Sequence, residues 1–558
     1  MTRLVRIASC QISLIPDAKV NLKKCLNLID QAGQSRPHII VLPEMSNWSG
    51  GLVKTLDDAL LHGITLESDF IKDISTKAHQ YQAFIAVGFI EKVDQEAFIT
   101  SVIISPQQSI VLKYQKQILF AGQINWASPG RCGNPVVELP FGKVGVYICA
   151  DGLVPETARI LTLKGAKLLI NTLHSGGHDE TLLHVPARAI ENKVWLVSSN
   201  KSGMRDLGAT DRFSGGSQIV SPTGKIIARA NHLDDTVITA EIDLNEADGI
   251  LHRGEHLTAL RQPKYYSQLI NHNYVLTQNS SAHHHHTVGV ATACPTGSSD
   301  QKLQSLNQII LNCHLKGAKL IVLPSLCMHA SDLLPSDLTN HANIDSIALL
   351  KLQQLSKIYS SWIVFNGIEY HSNSNSFSIS NYLISASGSI CGQYKQVHLT
   401  TSESNKVERG KKFLVFDTPI GKVGLLSGAD AWLPESFRIL SYQGANIITV
   451  SGSWEDENDI DILIKERVAE NRVNIVFSNR EDSKCLRGSI ICSSTPYPSE
   501  PHWKVRFPDI VESKLSQNHL VSTVDVSATN DKTVSPFGCN LMLSPLHHEY
   551  SLLTDTDS

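Results

Sequence analysis

The chain has 558 residues, 42% hydrophobic and 18% charged, an ordinary globular composition in a length that exceeds a single core. A formal net charge of −4 over that length makes no strong field, so nucleic acid is not an implied partner. The first residues lack the apolar core of a secretory leader and no run reaches the ~18 apolar residues of a membrane span, so the expectation is a cytoplasmic protein with no membrane partner. Eleven cysteines, without CxxC pairs or metal-ligand spacing, predict buried thiols in a reducing compartment.

In chain order, Val5 to Cys10 is predicted as a strand, Asp17 to Gly33 as an amphipathic helix, and His38 to Leu42 as an apolar strand ended by Pro43-Glu44. A helix over Ser68 to Tyr81 precedes strands at Ala83 to Phe89, Ile99 to Ile104 and Ser109 to Tyr114, with Lys116 just beyond. The phrase Gly142-Lys-Val-Gly-Val-Tyr-Ile-Cys149-Ala-Asp151-Gly then delivers one cysteine to a strand end, and a helix opens at Pro155. Beyond it come a strand over Lys167 to Asn171, a helix opened by Pro186, a strand from Val194 to Asn200, and a hairpin turning at Pro222-Thr-Gly224. Strands alternating with helices, plus hairpins, predict an α/β chain with mixed sheets.

The phrase around Cys149 returns as Gly421-Lys-Val-Gly-Leu-Leu-Ser-Gly428-Ala-Asp430, 279 residues later. Lys116 and Gln396 lie 280 apart, Glu44 and Ser325 281, and Asn192 and Asn471 279, a nearly constant offset that indicates a duplicated unit. The polar stretch 271–286, with His283 to His286, divides the copies. The expected organisation is a catalytic domain over 1–270, a linker over 271–286, an inactive domain over 287–545 and a disordered tail over 546–558. The four histidines are expected to be a solvated spacer and not a metal site.

Attack by a cysteine needs a thiolate, a base for its proton, and a cation or backbone N–H groups for the oxyanion. Glu44, Lys116 and Cys149 each fall at or just past a strand end, and strand ends along one sheet edge converge on a crevice. Along nearly the whole first domain these motifs resemble the nitrilase, or carbon–nitrogen hydrolase, superfamily. Leu42-Pro43-Glu44 is similar to its glutamate motif, Tyr114-Gln115-Lys116 to its lysine motif, and Gly145 to Asp151 with Pro155-Glu156 to its cysteine elbow. Gly216 to Gly224 and Arg261-Gln-Pro263-Lys-Tyr265 match two supporting segments.

The resemblance implies two tandem α-β-β-α sandwich domains, with Glu44 as general base, Lys116 as oxyanion stabiliser and Cys149 as nucleophile. It also implies a substrate-binding role for the Ala150 backbone N–H. Asn171 and His174, after the next strand, are further candidates for lining the pocket. No metal and no cofactor is required. The chain departs from many amidase members in lacking a second glutamate after the lysine, where Gln123 and Asn125 stand. It also lacks an arginine two positions past Asp151, which disfavours substrates with a free α-carboxylate.

In the second half the triad places hold Ser325, Gln396 and Gly428, while Lys395 is one position off and would point away on a strand. That copy is expected to be a pseudoenzyme serving as a built-in partner in an intramolecular pseudo-dimer, with further homo-oligomerisation open. The expected activity is hydrolysis of a C–N bond of a small-molecule amide through a thioester, releasing ammonia or an amine. The alternatives are a nitrile hydrolase with the same triad and a non-catalytic scaffold.

Overall fold

The computed structural model describes residues 4–203, 215–270, 286–330, 334, 336–456, 459–480, 488–494, 508–512, 518–533, 540–542 and 548–556. His283 to His285 and the rest of the predicted linker before His286 lie outside the described residues. The chain divides into two compact units. The described residues of Met1–Leu251 and Thr533–Ser558 make the first, and those of His252–Tyr497 and Phe507–Lys532 the second.

In the first unit, β1 (Leu4–Gln11), β2 (Ile39–Val41), β3 (Phe84–Val93), β4 (Glu96–Ile104), β5 (Ile110–Gln115) and β12 (Thr236–Asp243) form one six-stranded sheet in the order β12-β1-β2-β3-β4-β5. A second sheet runs β11-β10-β9-β8-β7-β6, from β6 (Val136–Leu139), β7 (Gly142–Ile148), β8 (Leu168–Thr172), β9 (Trp195–Ser199), β10 (Gln218–Val220) and β11 (Ile226–Arg229). Strand alternation sets the layers. Ile39 and Val41 join Val144, Val146 and Ile170 in the core between the sheets, whereas Ile40 and Leu42 turn outward to Leu28, Ile29, Ile74 and Ala78.

Those outer residues belong to α1 (Ala18–Gly33) and α3 (Asp69–Tyr81), with α2 (Leu56–His62) between them in sequence. Asp17 caps α1 by accepting from the N–H groups of Lys19 and Val20, and the helix buries Cys25, Leu28, Ile29 and Ala32 on one face. Each large apolar side chain removed from water there contributes about 1.5–3 kcal/mol before entropy is counted. On the second sheet, α4 (Pro155–Leu163) packs on β7 and α5 (Val185–Asn192) on β9, which completes an α-β-β-α sandwich.

The second unit repeats the plan with the strand orders β17-β16-β15-β14-β13-β24 and β18-β19-β20-β21-β22-β23. Its first sheet holds β13 (Thr287–Ala293), β14 (Leu320–Val322), β15 (Trp362–His371), β16 (Ser376–Ile384), β17 (Ile390–Lys395) and β24 (His519–Asp525). Its second holds β18 (Val415–Thr418), β19 (Gly421–Ser427), β20 (Ile447–Ser451), β21 (Asn474–Ser478), β22 (Ile490–Ser493) and β23 (Asp509–Glu512).

Two boundaries differ from the sequence expectation. His252 to Ile270, assigned above to the first domain, belong to the second unit, where Arg261 Nε meets Glu435 Oε1 at 3.1 Å and the Tyr266 hydroxyl meets His398 Nε2 at 2.6 Å. Part of the supposedly disordered 546–558 tail is folded on the first unit. There Tyr550 and Leu553 are buried, Glu549 Oε2 accepts from the Asn134 N–H at 2.6 Å, and Glu549 Oε1 pairs with Lys164. The polarity of Thr554-Asp-Thr-Asp suggested disorder, but the two apolar residues just before it supply the anchor.

Candidate active site

Three strand ends of the first unit build the site. After β2 the chain turns sharply at Pro43-Glu44-Met45, with Met45 at φ 49°, and passes directly over Gly88 of β3. A Cβ on Gly88 would stand 2.7 Å from Glu44 Cα, so a residue without a side chain is required for this approach. The Ser46 N–H donates to the Gly88 carbonyl at 2.7 Å and fixes the turn. Lys116 follows β5, its N–H donating to the Ile99 carbonyl at 2.8 Å. Cys149 follows β7 and adopts φ 48°, a left-handed conformation that costs a non-glycine residue ~1 kcal/mol and that the surroundings must hold in place.

Those surroundings are specific. The Cys149 N–H donates to Asn171 Oδ1 at 2.8 Å, which ties the elbow to the neighbouring strand β8. Asp151, fully buried, accepts from the Tyr114 hydroxyl at 2.8 Å and from the N–H groups of Ile118 (2.8 Å), Gln117 (3.1 Å) and Ile148 (3.2 Å). One carboxylate thus binds the cysteine elbow to the segment carrying Lys116.

The side chains of Glu44 and Lys116 are fully buried and meet at 2.8 Å from Nζ to Oε1. Gln123 Nε2 donates to the same Oε1 at 3.3 Å. Glu44 Oε2 has no hydrogen-bond partner among the described residues. Burial pushes the Cys149 thiol well above its ordinary value. The Lys116 charge and the His174 backbone N–H act the other way, while Glu44 and Glu180 raise it further. Burial also works against the Lys116 ammonium, but the neighbouring acids Cys149, Glu44 and Asp151 outweigh it and hold the lysine protonated. Asp151 is pushed up to about 6 by burial, with Lys116 and its hydrogen bonds opposing.

The structure therefore brings Glu44, Lys116 and Cys149 to one buried locus. Ala150 lies beside them, buried in the turn Cys149–Leu153. Asn171 takes a different part from the pocket-lining one expected. It is fully buried and its carbonyl oxygen is used by the Cys149 backbone, because it is the next-to-last residue of a central strand, one step short of the strand end. His174, two residues past the end of β8, is partly exposed. Of the two residues at the missing glutamate, Gln123 reaches Glu44 and Asn125 is exposed.

Sequence reasoning missed Lys201, which is buried two residues past β9 with Nζ 3.3 Å from His174 Nδ1. Its signal was available, because Lys201 obeys the same strand-end rule as Lys116 and has a basic counterpart, Arg480, 279 residues on.

In the second unit Ser325 Oγ bonds Asn366 Oδ1 at 3.2 Å, and Gln396 Nε2 donates to the His398 carbonyl at 2.8 Å. Gly428 keeps the elbow conformation at φ 49°, and a Cβ on it would meet the Gln396 amide at 2.8–3.1 Å. Lys395, the displaced lysine, lies with Nζ 3.0 Å from His371 Nε2. Glu403, 280 residues after Gln123, puts Oε2 3.3 Å from Gln396 Nε2. Glu44 of the first copy thus corresponds to Ser325 of the second, and Glu403 of the second to Gln123 of the first.

The carbon–nitrogen hydrolase family model matches this chain twice, over residues 6–250 and 287–480. A nitrilase of Pyrococcus abyssi is 31% identical over 256 residues, covering 43% of this chain and 90% of that protein. The omega-amidase NIT2 of Xenopus tropicalis is 30% identical over 254 residues, covering 43% and 88%. Among solved structures, Saccharomyces cerevisiae Nit3, a member of branch 10 of the nitrilase superfamily, is 24% identical at a TM-score of 0.39, covering 44% of this chain and 92% of that one. No helix among the described residues is long and apolar enough to cross a membrane. With two matched regions spanning most of its length, the chain belongs to the carbon–nitrogen hydrolase family, hydrolases of non-peptide C–N bonds, and carries the family's domain twice.

Proposed function

We propose that the first unit is a cysteine-dependent amidohydrolase of small amides, with Glu44, Lys116 and Cys149 as its catalytic residues. The observation that carries this reading is the Glu44 carboxylate. It is anchored through Oε1 by Lys116 and Gln123, while Oε2 stays buried and unbonded among the described residues. An unbonded carboxylate oxygen leaves one acceptor position open to receive a proton in transfer.

Glu44 takes the Cys149 proton as sulfur attacks the amide carbon. The C–S bond forms, and the carbonyl oxygen gains a negative charge held by the Lys116 ammonium and the Ala150 N–H. Collapse breaks the C–N bond as Glu44 returns the proton to nitrogen, and ammonia or an amine leaves. Glu44 then deprotonates water, hydroxide adds to the thioester carbon, and the carboxylic acid departs as the thiol is reprotonated. Nitrilase and omega-amidase are the names of two similar proteins, and a nitrile carbon would enter the same scheme at its first step.

For the second unit the proposal is a non-catalytic copy. Its three positions hold no nucleophile, no carboxylate at the base position and no cation, and Gln396 occupies the space a cysteine side chain would need. The test is incubation with a panel of small primary amides and their nitriles, reading ammonia release and the mass of acylated enzyme. Wild type should turn over an amide through an adduct on Cys149, and Glu44→Gln should abolish steady turnover. Turnover by Cys149→Ala, or full activity of Glu44→Gln, would refute the assignment.

A further inference from the structure

Lys201 has no part in the scheme above, yet it is a second lysine buried at the same locus. It leaves β9 one strand beyond the elbow's neighbour. Ile12 pairs with it in an isolated bridge, its own N–H donates to Asn200 Oδ1 at 2.9 Å, and its carbonyl accepts from the Gly215 N–H at 3.2 Å. The backbone is thus fixed on both sides, and the side chain runs inward to His174 Nδ1.

The repeat supplies a comparison inside the same molecule. Arg480, at the equivalent place, gives its guanidinium to three backbone carbonyls of the turn after β14: Ser325 at 3.2 Å, Leu326 at 2.7 Å and His329 at 3.1 Å. That position of the fold therefore takes a cation in both copies. In the copy without a nucleophile the cation ties a turn. In the copy with one it reaches a ring whose backbone N–H acts on the Cys149 thiol. The His174 position itself is Ser453 in the second copy, which offers no ring to hold.

We propose that Lys201 is a positioning residue of the first unit's site, holding the His174 ring with its proton on Nε2 and adding a second buried positive charge to the field in which Cys149 ionises. The first part follows from donor inventory. Where Lys201 is an ammonium it carries only donors, so in that state Nδ1 accepts and the ring proton resides on Nε2. The second follows from burial, because a charge in a dry site acts on its neighbours without screening by water. The inference rests on the reading of Cys149 as the nucleophile.

The groups around Lys201 set its pH range. Burial lowers it to about 7. Opposing this are Glu44 on the turn after β2, Cys25 on α1 and Cys149 on the elbow, while Lys116 after β5 adds to the lowering. Asp235, whose Oδ1 lies 3.4 Å from Ser202 Oγ, raises the Cys25 thiol on the same side, and His174 after β8 completes the ring of neighbours. Lys201 therefore carries its charge below neutral pH and sheds it just above.

The test is iodoacetamide labelling of Cys149 in the full chain, followed by mass spectrometry from about pH 6 to about pH 9, spanning the titration of Lys201. In Lys201→Met, labelling should be slower by about tenfold at the acid end, the effect of one pKa unit on the thiol. The gap should close above about pH 8, where the wild-type lysine is itself neutral. Lys201→Arg, which stays charged throughout, should match wild type at the acid end and exceed it at the alkaline end. The proposal is overturned if Lys201→Met labels at the wild-type rate across the series. It is equally overturned if the loss is the same at both ends and arginine does not restore the rate. If wild-type Cys149 labels no faster than the exposed Cys132, the nucleophile reading falls and this inference falls with it.

Discussion

Asp151 carries more of the site's geometry than any of the three proposed catalytic residues, and Asp151→Asn isolates that work. The carboxylate accepts four hydrogen bonds, two at each oxygen, and is fully buried. An asparagine with its oxygen toward Gln117 and Ile118 keeps that pair and turns its NH2 group toward Tyr114 and Ile148. The Tyr114 hydroxyl can rotate to accept. The Ile148 N–H cannot, so one buried backbone donor next to Cys149 is left unmet, at a cost of about 1–3 kcal/mol. That corresponds to local opening made easier by roughly five- to 150-fold. The change also removes the Asp151 carboxylate, one of the groups that favour the Lys116 ammonium.

Asp430 provides a control within the chain. It accepts from the Tyr394 hydroxyl (2.5 Å), the His398 N–H (2.7 Å) and His398 Nδ1 (2.8 Å) in the second unit. Hydrogen exchange of peptides covering Tyr114 to Phe120 and Gly142 to Leu153 should accelerate in Asp151→Asn by the factor above, with loss of amide turnover. Asp430→Asn should accelerate exchange across Tyr394 to Thr400 and leave turnover intact. Unchanged exchange in Asp151→Asn would refute the reasoning. So would an equal loss of turnover in Asp430→Asn, because the second copy would then take part in the chemistry.

Two further expectations concern stability. Cys149 and Gly428 share a left-handed conformation, so Cys149→Gly should be no less stable than Cys149→Ala, reversing the usual deficit of ~0.5–1 kcal/mol for glycine against alanine. Urea midpoints of the two variants decide it, and an alanine advantage of the ordinary size would refute the strain at the elbow. Although burial opposes it, the bonds from Lys164 and Asn134 hold the Glu549 carboxyl below its usual range. A depressed carboxylate stabilises above its unfolded pKa and loses that contribution as pH falls through the folded one. Glu549→Gln should therefore flatten the acid limb of the thermal midpoint between about pH 7 and about pH 3, and an unchanged slope would refute the tail's anchoring role.

Much of the first unit was legible because its strands are uninterrupted apolar runs and its helices carry a clear period. The predicted strand over Ile99 to Ile104 lies within β4, and the helix from Asp17 begins at its cap. β12 and α2 were missed for opposite reasons. β12 is a half-exposed edge strand whose partner, β1, lies more than two hundred residues earlier, so nothing local marks it. α2 is a capped helix of about two turns, shorter than a periodicity window detects.

At the site, the types and order of residues were fixed by local sequence. Glu44, Lys116 and Cys149 stand at strand ends, but Glu44 and Lys116 end β2 and β5 of one mixed sheet and Cys149 ends β7 of the other, so they share an edge only once the two sheets pack. Which further groups share that edge depends on the packing of one sheet on another, and here the tertiary structure alone decided. It turned Asn171 from the pocket to the elbow's backbone, brought Gln123 onto Glu44, and carried Lys201 from the end of β9 to the ring of His174. Periodicity along one chain records which face of a strand is buried. It carries no record of which buried polar atom from a distant segment will meet it there, since that is set by burial geometry and the demand that each such atom find a partner.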